Sequence, residues 1–249
     1  MRKTQHNFEK KWKERFENFA INAHDDAGIA GWSPTGLDTR LRQFIDIWEN
    51  SILEKNTWLD AGCGAGTYSR FMTSQGSDVI GLDYSFLSLQ KAMQKGNQSI
   101  AWCVADINQL PIKQSSFDGV ICFGVTQALE NSITVIHGLS KVTKPGGQVW
   151  IDALNEKCLP HLWERFFRWF HKRPIHLRYE SHQSMRNLMK SSGLVNIKLH
   201  WMPILPARWS RSQWMVETRL AKWLFRYIPF LGLLFSHSFM LCGERSHSD

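Results

Sequence analysis

Short apolar blocks and stretches with helical spacing alternate through the middle of the chain. The apolar blocks are about four to nine residues long, which is typical of buried strands. They predict strands at 57–60, 78–83, 99–106, 117–125 and 148–154. The segments between them predict helices near 66–75, over 85–95 and near 131–142. Because strands separated by helices are joined by crossovers, this order predicts an α/β fold with a mostly parallel sheet covered on both faces.

Further elements flank this alternating core. Two helices, at 6–23 and 36–54, precede it, with a Gly- and Asp-rich loop between them. After it the pattern predicts helices at 161–173, 181–193 and about 211–227, and strands at 195–203 and 238–245. We therefore expect a single domain over 1–249, made of an N-terminal helical cap (1–54), a core (55–155), and a lid insertion with the final strands (156–249).

Positive charge is concentrated in one part of the chain. The net charge of +8 comes from 30 basic and 22 acidic residues, but residues 157–226 alone hold 14 basic and three acidic ones, with six of the twelve Trp. A basic, aromatic segment of this kind favours an anionic or amphiphilic partner. The five cysteines are scattered without a C-x-x-C pair, so no disulfide framework or zinc site is indicated. The charged N-terminus lacks the apolar core of a signal peptide, which predicts a cytoplasmic location.

A glycine-rich loop follows the first predicted strand. The sequence WLDAGCGAG places Gly62, Gly64 and Gly66 directly after Asp60. Glycines allow a sharp turn and a close approach to a ligand, and the helix that follows offers free N–H groups. The dinucleotide fingerprint would need a glycine where Thr67 stands, which disfavours a nicotinamide-dependent oxidoreductase.

Acidic residues end three of the predicted strands, at Asp60, Asp83 and Asp106. The carboxyl ends of the strands form the edge at which open α/β sheets bind ligands. These acids are candidates for contacts to a cationic or hydroxylated ligand; the alternative is that they cap helices or turns.

Four motifs occur in order along the core. They are LDAGCGAG (59–66), GLDYS (81–85), VADINQLPIKQSSFDGVICFGVTQAL (104–129) and VTKPGGQVW (142–150). Together they resemble the class I S-adenosylmethionine-dependent methyltransferases, specifically the menaquinone/ubiquinone-type and small-molecule branch. The resemblance covers about residues 55–155 closely and 181–245 in outline. It implies a Rossmann-like sheet of seven strands, the last of them antiparallel.

The resemblance also implies a binding site for the cofactor S-adenosylmethionine. The loop 62–66 would hold its methionine moiety with Asp60 near the ammonium group, and Asp83 would bind the ribose hydroxyls. Tyr84 would stack near the adenine, which would hydrogen-bond to Asp106 and to the N–H of Ile107. The residues implied to bind the cofactor are Asp60, Gly62, Cys63, Gly64, Gly66, Asp83, Tyr84, Asp106, Ile107, Phe123 and Gly124.

Methyl transfer is an in-line displacement that needs at most one base. The sequence offers several candidates for it, each with an alternative role as a turn, cap or solvated residue. No cluster with metal-ligand spacing is present, so no metal is expected. The candidates are His24, Asp25, Asp26, Gln127, His161 and His182.

The sequence therefore predicts an enzyme that methylates a small-molecule or lipid-like acceptor. An RNA methyltransferase and a non-catalytic adaptor at a membrane surface are the alternatives. Where base-amino methyltransferases carry an Asn/Asp-Pro-Pro-aromatic signature, this chain has CFGV (122–125), and nucleic acid is therefore the less favoured partner. The basic helix at 161–173 is expected to form a lid, and segment 157–226 to contact a membrane peripherally.

Overall fold

The computed structural model describes residues 2–48, 56–96, 99–172, 177–205 and 207–247. The end of the predicted helix 36–54, from residue 49 on, lies outside the described residues, as does residue 173 of the predicted helix 161–173.

A seven-stranded sheet forms the centre of the fold, with strand order β3-β2-β1-β4-β5-β7-β6. The pairings among β1 to β5 are parallel, and β7 runs antiparallel to both β5 and β6. The predicted Rossmann-like sheet with a final antiparallel strand is confirmed. The strands are β1 Thr57–Ala61, β2 Asp78–Asp83, β3 Ala101–Val104, β4 Phe117–Cys122, β5 Thr143–Leu154, β6 Leu194–Met202 and β7 Ser238–Arg245.

Helices flank the sheet and precede it. Several begin at the side-chain caps that their sequences offer; for example, Ser33 accepts a hydrogen bond from the N–H of Gly36 and is followed by Pro34. The helices are α1 Arg2–Asn22, α2 Asp26–Ile29, α3 Pro34–Ile47, α4 Thr67–Ser74, α5 Phe86–Gln94, α6 Ser132–Val142, α7 Leu159–Phe170, α8 His182–Ser191, α9 Gln213–Glu217, α10 Arg219–Tyr227 and α11 Pro229–Phe235.

The region after β6 departs from the predicted single helix at about 211–227. It forms a 3-10 turn (Ala207–Ser212), then α9, then α10. The break falls at Thr218, whose backbone is extended (φ −61°, ψ 155°) and whose hydroxyl accepts the N–H of Ala221 at 3.2 Å. The short helices α2 and α11 were not predicted. None of the described helices is long and apolar enough to span a bilayer.

An aromatic cluster joins the N-terminal helices to one face of the sheet. Phe44 of α3 is fully buried, and its ring centroid lies 5.2 Å from that of Phe123 and 5.6 Å from that of Trp150. Helix α3 is therefore part of the layer covering the sheet. It brings the start of the chain close to the carboxyl ends of β1 and β4.

Candidate functional site

The glycine loop after β1 is held in a conformation that requires glycine. The N–H groups of Gly62 and Cys63 both donate to the carbonyl oxygen of Leu82, at 2.7 and 3.0 Å. Gly62 has φ +81°, and a Cβ there would lie 2.3 Å from Cγ2 of Val125. Gly64 and Gly66 are also left-handed, at +53° and +78°. The loop therefore packs directly against the segment after β4 and leaves its other side open to a ligand.

Two buried carboxylates stand behind this loop. Asp83 accepts hydrogen bonds from the N–H of Gly64 at 2.8 Å and of Ser85 at 2.9 Å. Asp60 is 2% exposed, and one of its oxygens accepts the hydroxyl of Ser69 at 2.6 Å. Burial raises the pKa of Asp60 to about 7, although the hydrogen bond from Ser69 acts to lower that pKa. Burial also raises the pKa of Asp83, and its two N–H donors oppose that rise. Both groups are thus arranged to favour a cationic or hydrogen-bonding ligand.

Asp106 is more exposed and already has partners. It caps the 3-10 turn Ile107–Gln109 by accepting the N–H of Asn108 at 2.9 Å, and it pairs with Nζ of Lys13 at 2.6 Å. Burial alone would raise its pKa, but Lys13 and the N–H of Asn108 bring that pKa below its usual value. The hydroxyl of Tyr84 donates to the backbone oxygen of Lys13 at 2.9 Å. Helix α1 therefore lies against the position expected for the adenine.

One cavity joins these groups at the carboxyl ends of β1, β2 and β4. It has about 1070 Å³ of space free of protein atoms, part of it open to solvent. Gly66 does not line the cavity. It packs against Trp102, and a Cβ added at Gly66 would lie 2.4 Å from the Trp102 ring. The binding roles themselves stay predictions. The expected cofactor residues that line the cavity are Asp60, Gly62, Cys63, Gly64, Asp83, Tyr84, Asp106, Ile107, Phe123 and Gly124.

The cover of this cavity comes from the N-terminal helices. Helix α1 contributes Trp12, Lys13 and Phe16 to the lining, whereas no residue of α7, the expected lid, lines it. Helix α7 follows β5, whereas the cavity opens over β1, β2 and β4. The i, i+4 spacing of Trp12 and Phe16 indicates a buried stripe on α1, but it does not indicate which surface that stripe covers.

Asp26 of α2 ties this cover to the helix after the glycine loop. It accepts the hydroxyl of Thr67 at 2.5 Å and pairs with Arg70 and with Lys95. Burial would raise the pKa of Asp26, but the bonds from Lys95 and Thr67 and the charge of Arg70 lower it overall. Asp26, a candidate base in the sequence, lines the cavity as an ion-paired carboxylate that joins α2 to α4 and α5.

A buried ion pair fixes the segment after β4. Arg40 of α3 and Asp152 of β5 are each 4% exposed and meet at 2.9 Å. The other oxygen of Asp152 accepts the N–H of Gly124 at 2.7 Å, and the Arg40 guanidinium lies 4.1 Å from the ring centroid of Trp32. Sequence reasoning missed this pair, for which the only signal was an acid inside the apolar run QVWIDAL.

The other candidate bases lie away from the cavity lining. His24 and Asp25 are exposed, and Asp25 caps α2 by accepting the N–H of Gly28 at 3.0 Å. Gln127 is buried in the turn after β4, and His182 packs edge-on against Trp201.

His161 belongs to a buried histidine pair. Its Nδ1 lies 2.8 Å from the carbonyl oxygen of Asn155, and its Nε2 lies 2.9 Å from Nδ1 of His237. Burial lowers the pKa of both histidines. Neither lines the cavity, so this pair connects α7 to the start of β7.

Tyr68 lines the cavity, and its buried hydroxyl has no hydrogen-bond partner among the described residues. Within that same part of the chain, no group of three or more His, Cys, Asp or Glu is placed to hold a metal ion.

Comparison with known proteins places the core among methyltransferase domains. Residues 59–151 match the family described as "Methyltransferase domain". The chain is 35% identical over 117 residues to malonyl-[acyl-carrier protein] O-methyltransferase of Hamiltonella defensa, covering 45% of this chain and 44% of that protein. It is 28% identical over 135 residues to ubiquinone biosynthesis O-methyltransferase of Idiomarina loihiensis, covering 50% and 55%. The chain thus spans about half the length of these curated relatives.

Solved structures share the whole fold. The putative methyltransferase in complex with the Haloferax volcanii Trm112 activator has a TM-score of 0.66 at 18% identity, covering 93% of this chain and 98% of that one. An S-adenosylmethionine-dependent methyltransferase from Mesorhizobium loti has a TM-score of 0.62 at 18% identity, covering 84% and 100%. At these identities the likeness concerns the fold alone.

Proposed function

We propose that this chain, whose residues 59–151 match the methyltransferase domain family, uses S-adenosylmethionine as methyl donor and methylates a small-molecule or lipid-like hydrophobic acceptor. The observation that carries the proposal is the meeting of Asp60, Asp83 and the glycine loop at one cavity. The cytoplasmic location and the peripheral membrane contact of segment 157–226 are part of the same proposal.

The residues behind the loop fit this donor. Asp83 is oriented by two backbone N–H groups, and a carboxylate so held retains lone pairs for two ribose hydroxyls. Asp60 is a buried carboxyl with no cation within ion-pair distance among the described residues. An ammonium group would supply that counter-charge. When bound, S-adenosylmethionine presents a methyl group on a positively charged sulfur.

The rest of the cavity fits an apolar acceptor. Trp32, Leu37 and Phe123 line it, and the unpaired hydroxyl of Tyr68 can hydrogen-bond to a single polar group. An acceptor bound there would be held in line with the methyl group and would displace water from the apolar part of the cavity, and positioning of this kind can contribute about 7–11 kcal/mol. Apart from the ion-paired Asp26, no candidate base from the sequence lines the cavity. In this proposal, therefore, positioning and exclusion of water provide most of the acceleration.

Calorimetry with S-adenosylmethionine and its demethylated product tests donor binding. We expect micromolar binding that Asp83→Ala abolishes, because the ribose contacts are lost. Asp78→Ala is the matched control, since Asp78 is an exposed carboxylate at the other end of the same strand. Absence of binding at millimolar ligand would reject the proposal.

Mass spectrometry of cell extracts incubated with an isotopically labelled methyl donor tests the acceptor class. We expect label in a compound that partitions into organic solvent, and a higher KM for it with Tyr68→Phe at unchanged donor affinity. Label found only in RNA would favour the RNA methyltransferase, and no transfer despite donor binding would favour the non-catalytic adaptor.

A further inference from the structure

Helix α7 leaves its apolar side chains in solvent. His161 is its only buried residue, and its seven large apolar side chains are between 41% and 75% exposed. An amphipathic helix of a globular protein normally packs its apolar face on the core. The exposed side chains of α7 are Leu159, Leu162, Trp163, Phe166, Phe167, Trp169 and Phe170.

A second group of exposed apolar side chains follows β6. Between the 3-10 turn and α11, eight large apolar side chains are between 51% and 68% exposed. On α10 they recur at i, i+3 and i+7, which places them on one side of the helix. The members of this group are Trp209, Trp214, Met215, Leu220, Trp223, Tyr227, Phe230 and Phe235. We call the two groups together the aromatic surface.

The two groups belong to neighbouring elements. Helix α11 contacts both α7 and α10. The side-chain amide of Asn155, just before α7, donates to the backbone oxygens of Leu233 and Ser236 at 2.7 and 2.9 Å. The aromatic surface is thus carried by one packed set of helices, and so large an exposed apolar area on a single domain marks an interaction site.

The cations beside these side chains indicate the charge of the partner. Arg165, Lys172, Arg211 and Arg219 are exposed, and none has an acidic side chain within 4 Å among the described residues. The nearby acids are already paired, Glu164 with Arg168 and Glu217 with Arg42. A partner of this surface must therefore present both apolar area and negative charge.

We propose that the aromatic surface docks on an anionic phospholipid bilayer, with α7 and α10 lying in the interface. Trp and Tyr side chains favour the membrane–water boundary, and basic amphipathic helices lie in its plane. A second copy of this chain would place like charges opposite each other in a two-fold interface. An RNA backbone is bound chiefly through many cations, whereas among the side chains that the structure describes here, fifteen large apolar ones accompany four uncompensated cations.

The docked helices are also connected to the cavity. The segment after α7 contacts the turn that follows β4: Arg178 donates from Nη1 to the backbone oxygen of Glu130 at 2.6 Å and to that of Leu129, a cavity-lining residue, at 3.1 Å. This docking deepens the peripheral membrane contact proposed above and can be tested without an acceptor. That it would bring the cavity to a lipid-like acceptor rests on the proposed function.

Co-sedimentation of the full chain with vesicles tests the proposal. We expect pelleting with vesicles of phosphatidylcholine plus phosphatidylglycerol, and little pelleting with phosphatidylcholine alone. Bromine on the lipid acyl chains is expected to quench the tryptophan fluorescence of the bound protein.

Two double variants probe the two properties of the surface. Trp163→Ser with Trp169→Ser removes apolar anchors and is expected to abolish both pelleting and quenching. Arg165→Gln with Lys172→Gln keeps the anchors and is expected to weaken binding to anionic vesicles roughly 25-fold, about fivefold for each charge. The charge variant keeps the test decisive if the Trp variant fails to fold.

Matched controls carry equivalent changes away from the surface. Phe86→Ser with Val195→Ser and Lys113→Gln with Lys190→Gln alter exposed side chains elsewhere and are expected to bind vesicles like the unaltered chain. No pelleting, or pelleting unchanged in both surface variants, would overturn the proposal. A dimer of the unaltered chain that dissociates in the Trp variant would also overturn it. So would binding to RNA instead of vesicles, if the surface variants lose that RNA binding. Binding of S-adenosylmethionine, measured without vesicles, tests the proposed function separately. It therefore distinguishes failure of the docking proposal from failure of the proposed function.

Discussion

Replacing Asp60 with Asn is expected to stabilise the protein without ligand. Asn preserves the shape of the side chain and the hydrogen bond from Ser69, but it removes the charge from a site that is 2% exposed. Burial raises the pKa of Asp60 from 3.8 to about 7. The folded state therefore holds a proton that the unfolded state releases between these two pH values.

The size of the effect follows from that shift. Because the folded pKa is the higher one, the contribution of this carboxyl is most favourable below about pH 4 and is lost as the pH rises through about 7. At about 1.4 kcal/mol for each pKa unit, the full loss is about 4 kcal/mol, of which more than half falls above pH 5. The free energy of unfolding of Asp60→Asn should thus exceed that of the unaltered chain by about 2–3 kcal/mol more at pH 8 than at pH 5.

Urea unfolding followed by tryptophan fluorescence at the two pH values measures this difference. The reasoning would be refuted if the difference in free energy of unfolding between the variant and the unaltered chain did not change with pH. It would also be refuted if the variant were less stable than the unaltered chain at pH 8. Calorimetry of the same variant is expected to show loss of donor binding at pH 8. The carboxylate would then be a group that stabilises the complex with the cationic ligand at the expense of the free protein.

Three further outcomes are expected. Arg40→Met should lower the free energy of unfolding by about 3–5 kcal/mol by leaving Asp152 charged and unpaired, and adding Asp152→Asn should restore much of it in urea titrations; no recovery would contradict the coupling. Gly62→Ala should destabilise the fold and weaken donor binding, because its Cβ would meet Val125. In Gly64→Ala the added Cβ would have no atom within 4 Å, so the free energy of unfolding should fall by only about 1–2 kcal/mol. A chelator should leave methyl transfer unchanged, and a loss that zinc or magnesium restores would refute this.

The core of the fold could be predicted because its signals are local. Each strand is a short apolar block, and its neighbours along the chain are also its neighbours in the sheet up to the reversal between β1 and β4. The positions of Asp60 and Asp83 follow from the same rule, since the carboxyl ends of parallel strands meet at one edge.

The cover of the cavity could not be predicted because its contacts join distant parts of the chain. Lys13 meets Asp106 across 93 positions, and Arg40 meets Asp152 across 112. The sequence pattern predicts helices at 6–23 and 36–54, but not which surface they cover. The expected lid role of α7 followed its aromatic character, and the same character is equally suited to a surface that faces outward.

Helix α1 is attached to the rim of the cavity through a small number of polar contacts. Its polar contacts with the rim include the Lys13–Asp106 pair, with side chains 43% and 40% exposed, the bond from the Tyr84 hydroxyl, and the bond from the Glu130 N–H to Glu9 at 2.7 Å. Half-exposed ties of this kind can break while the seven-stranded sheet stays intact. In the proposed complex, a nucleoside beneath α1 would leave through local unfolding of the first helix. Product release, and with it the turnover rate, would be set by how often that helix lifts.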